Sequence, residues 1–280
     1  MKTRAITGFF FIIVMLASVL LGHYVFGAFY LLLSLFCLYE FYGLIKQGTA
    51  NPNVPMGLLC GALLYVAFAL FTYKSAFAIP MLSQARFTYK LMFITPVFFG
   101  GIFIWELFRK LHAPFNNIAY TYIGIIFTIV PFTFFHALAY AGTFGVFDFH
   151  FPLAFLLMLW ANDTGAYLTG RFLGRTKLFE RHSPKKTVEG FIGGVLISAG
   201  VGLIISHYWF ELSWAQWVIM AVLIGTFGTM GDLVESMFKR SINVKDSGGI
   251  LPGHGGLLDR FDGLFLAVPV VYAYIYLITN

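Results

Sequence analysis

The residues most able to do chemistry are concentrated between positions 231 and 262. The segment Gly-Asp-Leu-Val-Glu-Ser-Met-Phe-Lys-Arg closes an apolar stretch there. It sets Asp232, Glu235, Ser236 and Lys239 at i, i+3, i+4 and i+7, one polar stripe along a helix. Arg240, Lys245 and Asp246 follow. Then comes a turn of Pro252, Gly253, His254, Gly255 and Gly256, whose backbone N–H groups can point into a site. Asp259 and Asp262 lie three apart, with Arg260 between them. Carboxylates that converge repel one another unless a cation sits among them. Mg²⁺ is the hard cation that binds through one or two carboxylates plus substrate phosphates. Lysine and arginine suit the phosphates themselves. These are the parts of phosphoryl or nucleotidyl transfer. The chain has no HExxH, Walker or GxGxxG motif, and no Ser-His-Asp arrangement is evident.

Two upstream blocks add to this set. In Trp-Ala-Asn-Asp-Thr-Gly-Ala-Tyr-Leu-Thr-Gly-Arg (160–171), Asp163 sits within an apolar segment, where an unpaired carboxylate costs on the order of 3 kcal/mol or more. Asp163, Tyr167 and Arg171 recur every four residues and share a helical face, which is expected to line the active cavity. In Ser-Pro-Lys-Lys-Thr-Val-Glu-Gly (183–190), Ser183 and Pro184 predict a helix start. Lys185 and Lys186 would then occupy a first turn whose dipole disfavours them unless an anion binds there. Glu106 is expected to pair locally with Arg109 or Lys110, and Glu40 reads as structural.

The elements that position these groups must be membrane helices. Of 280 residues, 59% are hydrophobic and only 11% charged, with mean hydropathy +0.83. An ordinary soluble domain has roughly 25% charged residues. The composition excludes a soluble enzyme, a disordered chain and a fibrous repeat. Unbroken apolar runs predict an all-α polytopic transmembrane bundle of about nine spans, near 5–22, 24–45, 55–73, 91–108, 118–140, 151–173, 187–208, 213–238 and 261–279. The stretch 74–90 reads as a mixed loop, and Pro131 as a kink inside the fifth span. The first run, after Lys2 and Arg4, is read as a retained span rather than a cleaved signal. Of the 18 lysines and arginines, all but Lys74, Arg86 and Lys90 fall on the side of the N-terminus. The positive-inside rule makes that side cytoplasmic and leaves Asn280 outside. The net charge of +6 is therefore a membrane-face feature, not a nucleic-acid signal. Cys37 and Cys60 fall inside apolar runs and read as small hydrophobes. Residues 1–150 read as scaffold spans and 151–280 as catalytic spans with cytoplasmic loops, one integrated membrane domain.

The run Ser-Met-Phe-Lys-Arg-Ser-Ile-Asn-Val-Lys-Asp-Ser-Gly-Gly-Ile-Leu-Pro-Gly-His-Gly-Gly-Leu-Leu-Asp-Arg-Phe-Asp (236–262) resembles the signature of phosphatidate cytidylyltransferases, the CDP-diacylglycerol synthases. The Asp-Thr-Gly-Ala-Tyr and Ser-Pro-Lys-Lys-Thr-Val-Glu-Gly segments resemble that family's upstream elements, so the likeness covers roughly residues 155–280. The resemblance implies CTP and phosphatidate as substrates, CDP-diacylglycerol and pyrophosphate as products, and Mg²⁺ as cofactor, alone or with a second cation. It implies a site at the cytoplasmic face of the inner membrane, open to the bilayer. On this reading Asp232 and Asp259 hold the metal, with Asp163 and Asp262 as additional or outer carboxylates of the same metal site. Lys239, Arg240 and Lys245 neutralise phosphates, with Asp246, His254 and Arg260 in the same catalytic set. Asp163, Tyr167, Ser183, Lys185, Lys186, Thr187, Ser236, Gly255 and Gly256 bind substrate. Glycine-rich faces admit a homodimer.

Overall fold

The computed structural model describes residues 2–48, 50–72, 81–142, 146–248 and 255–279. Its helices are α1 (Lys2–Leu20), α2 (His23–Ile45), α3 (Val54–Thr72), α4 (Met81–Arg109), α5 (Pro114–Gly124), α6 (Val130–Leu138), α7 (His150–Leu173), α8 (Val188–Tyr208), α9 (Trp214–Ser241) and α10 (Leu258–Thr279). A single hairpin, β1 (Lys177–Phe179) and β2 (Ser183–Thr187), is the described exception to an all-α chain. Seven helical segments are long and apolar enough to cross a membrane: α2, α3, Phe87–Arg109 of α4, the rod Pro114–Leu138, α8, α9 and α10. The apolar part of α1 is Thr7–Leu20. The long helix α7 carries Asn162, Asp163, Thr164 and Arg171 and stays outside that set. Phe93, Leu107, Phe108, Phe115, Phe172 and Phe210 are all strongly exposed. An apolar surface of that extent suits lipid, not water. The protein is an integral membrane protein.

The chain forms two compact units, Met1–Phe147 with Asp246–Leu258, and Asp148–Lys245 with Asp259–Asn280. In the first, an aromatic core of Phe26, Tyr30, Phe132 and Phe135 is fully buried. A π-helical turn, Ile125–Ile129, joins α5 to α6 just before Pro131. Proline has no N–H to close the ordinary turn there and its ring crowds the preceding carbonyl, so the helix widens and continues as one rod. Buried Glu106 pairs with Arg109 at 2.9 Å, as expected. It also accepts from Asn117 Nδ2 at 2.7 Å.

The second unit combines buried large side chains, among them Phe151 stacked on Trp217, with close helix contacts. Ser198 Oγ of α8 lies 3.0 Å from the Met158 carbonyl of α7 and 3.4 Å from the Ala221 carbonyl of α9, so one buried hydroxyl ties three helices. Gly194 of α8 leaves so little room that a Cβ there would lie 2.7 Å from the Asn162 carbonyl oxygen. A capping box at Ser213 and Gln216 starts α9.

Two sequence expectations are corrected. Ser183 and Pro184 do not start a helix: Ser183–Thr187 is a strand paired with Lys177–Phe179, and α8 begins at Val188. Its cap is Thr187, whose Oγ1 accepts the Gly190 N–H at 3.1 Å. The conflict of two lysines in a first helical turn disappears with that assignment. In the stretch read as a loop, residues 81–90 are helical, because no glycine or proline interrupts the pattern before Pro96; residues 73–80 lie outside the described set.

Replacing Gly194 with alanine should destabilise the detergent-purified protein by on the order of 1–3 kcal/mol, seen as a lowered Tm. Gly200→Ala on the same helix, where a Cβ meets nothing within 4 Å, should leave Tm unchanged.

Candidate active site

In the second unit, α9 and α10 approach closely enough to bring three carboxylates together. A Cβ on Gly231 would fall on the Asp262 carbonyl oxygen, so glycine permits the approach. Asp232, Glu235 and Asp262 each offer an oxygen, and these atoms lie within 4.8 Å of one another. Oxygens around an octahedral Mg²⁺ at about 2.1 Å are roughly 3 Å apart when adjacent and about 4.2 Å when opposite. The cluster therefore fits a Mg²⁺ ion. Glu235 is fully buried, and neither of its oxygens has a hydrogen-bond partner among the described residues, although Lys239 Nζ lies 2.8 Å from Oε2. Lys239 meets part of this buried charge, and a divalent ion among the three carboxylates would meet more of it.

Two lysines flank the cluster. Lys186 of β2 reaches Asp232 Oδ2 at 2.5 Å, while Ser236 Oγ donates to Asp232 Oδ1 at 3.3 Å. Lys239 bridges Glu235 to Asp259 Oδ1, the latter at 2.6 Å. Asp163 of α7 is exposed, takes a long hydrogen bond from Asn162 at 3.4 Å, and lies within electrostatic reach of Asp232 and Lys186. The hairpin that carries Lys186 is anchored by Glu189, whose carboxylate accepts the backbone N–H groups of Arg175 and Thr176 at 3.0 and 3.2 Å.

Of the residues expected in the site, the structure groups Asp163, Lys186, Asp232, Ser236, Lys239, Asp259 and Asp262. Asp259 takes Lys239 as its partner and is not one of the three carboxylates that share a centre; the third is Glu235. Tyr167 and Arg171 are exposed and pair with each other at 3.2 Å. Ser183 and Lys185 lie on β2, Lys185 exposed, and Thr187 serves as the helix cap. Arg240 is exposed and donates to the Val244 carbonyl at 3.1 Å. Lys245 and Arg260 are exposed. His254 lies outside the described residues.

Gly248, Gly256 and Leu258, described residues on either side of the glycine-rich turn, lie beside Glu40 in the first unit. Glu40 Oε2 accepts the N–H of Leu258, the first residue of α10, at 2.8 Å. A Cβ at Gly248 or Gly256 would lie 2.9 Å or less from the same carboxylate. Gly255 has φ +83°, which favours glycine. Asp246 is exposed at the start of the loop. Glu40 reads from the sequence as structural, and Glu235 appears there in the polar stripe but without a metal role. For Glu235 the signal was its i+3 spacing from Asp232. For Glu40 there was none, because its partner is 218 positions away.

The structure thus defines a membrane protein with an acidic, cation-fitting centre flanked by lysines. Comparison with known proteins places it further. A model described as "Cytidylyltransferase family" matches residues 2–278, and the chain belongs to that family. It is 38% identical over 168 residues to a phosphatidate cytidylyltransferase of Staphylococcus haemolyticus (strain JCSC1435), a match covering 60% of this chain and 62% of the relative. A protein of the same name from Staphylococcus aureus (strain COL) is 39% identical over 169 residues, with the same coverage. The one from Staphylococcus saprophyticus is 48% identical over 124 residues, covering 44% of this chain and 47% of the relative. The chain thus matches less than two thirds of the length of these curated relatives.

Two measurements check this geometry. Lys239→Met should destabilise the protein by about 3–5 kcal/mol, because Glu235 and Asp259 lose their shared counter-charge, and should lower Tm accordingly. Glu40→Gln should speed hydrogen exchange at the Leu258 amide by tenfold or more, corresponding to the loss of about 1.5–3 kcal/mol from a charged hydrogen bond.

Proposed function

We propose that the protein is a phosphatidate cytidylyltransferase, joining CTP and phosphatidate into CDP-diacylglycerol and pyrophosphate. The reading is carried by the convergence of Asp232, Glu235 and Asp262 beside Lys186 and Lys239. A phosphate oxygen of the lipid forms a bond to the α-phosphorus of CTP. The bond from that phosphorus to the α–β bridging oxygen breaks, and its electron pair leaves with pyrophosphate. The nucleophile is already an anion, so no general base is needed. The difficulty is charge and alignment, which positioning and neutralisation address.

Asp232, Glu235 and Asp262 would hold Mg²⁺. Bound there, the ion would neutralise phosphate charge and increase the electrophilicity of the α-phosphorus. Lys186 balances Asp232 until substrate arrives and then turns to a phosphate, a movement its hairpin position allows. Lys239 holds Glu235 and Asp259 in place. Asp163 is an outer carboxylate of the same centre. The chain crosses the membrane nine times, α1 and α7 included, with its N-terminus in the cytoplasm. The lysine-flanked centre then lies at the cytoplasmic face, where a soluble nucleotide and a bilayer lipid can meet.

Purified protein given phosphatidate, CTP and Mg²⁺ should form CDP-lipid and pyrophosphate in equal amounts, and EDTA should stop both. Asp262→Asn and Glu235→Gln should each lower kcat by roughly 10²-fold or more. Release of CDP with a newly phosphorylated lipid would contradict the reaction, and near-normal turnover in both variants would contradict the metal assignment.

A further inference from the structure

A second cluster of ligand-type side chains lies in the same unit, far along the helices from the acidic centre. His150 is the first residue of α7, Asp148 precedes it by two positions, and Glu211 sits in the turn between α8 and α9. Asp163 lies thirteen residues further along α7, and Asp232 eighteen residues along α9 from its start. At 1.5 Å per residue these separations are roughly 20 and 27 Å, so the two clusters are independent.

We infer that Asp148, His150 and Glu211 form a binding site for a divalent transition ion of the Zn²⁺ type. Their three ligand atoms lie within 4.8 Å of one another. His150 Nδ1 is 2.5 Å from Glu211 Oε1 and 3.1 Å from Asp148 Oδ1. Yet Nδ1 is buried, and among the described residues neither oxygen meets it with hydrogen-bond geometry. Atoms close together but off the hydrogen-bond axis are arranged as ligands around a common point. Ligand atoms about 2.0–2.2 Å from a tetrahedral Zn²⁺ are roughly 3.3 Å apart, so a small expansion of the cluster admits the ion. Charge supports a divalent ion: neutral imidazole and two carboxylates sum to two negative charges, whereas a protonated imidazole leaves one uncompensated. Imidazole with carboxylate oxygens is a donor set for Zn²⁺ rather than Mg²⁺. About a quarter of each side chain remains exposed, which leaves room for water as a fourth ligand.

The surroundings fix the imidazole. Its ring packs against both Phe149 and Trp209, with centroids 4.4 and 4.5 Å away. The Trp209 carbonyl accepts from Trp217 Nε1 at 3.2 Å. Asp148 Oδ1 accepts the His150 backbone N–H at 2.8 Å, holding the carboxylate at the start of α7. A bound ion would staple the α8–α9 turn to α7 at the end remote from the reacting groups. Its effect is therefore on stability rather than on chemistry.

The test uses the full chain in detergent, stripped with chelator and titrated with Zn²⁺ or Co²⁺. Metal content, the visible bands of tetrahedral Co²⁺ and Tm are read together. Wild type and Asp262→Asn should each bind one ion at this site, show the Co²⁺ bands and gain Tm on adding Zn²⁺. His150→Gln and Glu211→Gln should lose the bands and the Tm gain, with affinity reduced tenfold or more. Wild-type protein without Co²⁺ bands would overturn the inference, and that reading does not depend on any variant folding. Variants that keep wild-type metal content and Tm gain would overturn it as well. So would a cluster whose loss lowers Tm while Zn²⁺ has no effect on wild type, since that is an ion pair only.

Discussion

Like charges brought together inside an apolar helix bundle repel strongly, and the second unit is organised around that repulsion. Asp232, Glu235 and Asp262 face one another at the junction of α9 and α10. Two lysines offset part of their charge, Lys186 from the hairpin and Lys239 from α9 itself. The remainder calls for a cation. The other features of the unit follow from holding this arrangement. Gly231 lets α10 come close enough, the Glu189 anchor sets the hairpin, and Ser198 locks α7, α8 and α9. An enzyme that joins two polyanionic substrates needs such a centre, because its barrier is dominated by charge.

The first unit does different work. Its helices supply an aromatic core and an exposed apolar surface suited to lipid, and Glu40 accepts the Leu258 amide at the start of α10. A carboxylate at the positive end of a helix is a favourable arrangement, and the glycines at 248 and 256 give it space.

The sequence made the helices legible because apolar runs of this length have few alternatives in a membrane. Each expected span corresponds to a helix, with α5, its π-helical turn and α6 forming one rod. Local polar signals were less reliable. Ser183-Pro184 has the composition of a helix start, but pairing with Lys177–Phe179 and capping by Thr187 decide otherwise. The stripe of Asp232 and Glu235 was visible from its spacing, and Asp262 was expected near the metal from the family resemblance. That Glu235 and not Asp259 completes the three was not foreseen, because it depends on how α9 and α10 pack, a contact between helices. Glu40 was illegible for the same reason, its partner being distant in the chain.

The central claim is that Asp232, Glu235 and Asp262 hold one divalent cation. Mn²⁺ binding followed by electron paramagnetic resonance tests it most directly, in a His150→Gln background so that the remote cluster is silent. One Mn²⁺ should bind per chain and be displaced by Mg²⁺, and Glu235→Gln should abolish binding while Asp259→Asn preserves it. Undiminished binding in Glu235→Gln, or binding lost only in Asp259→Asn, would contradict the account.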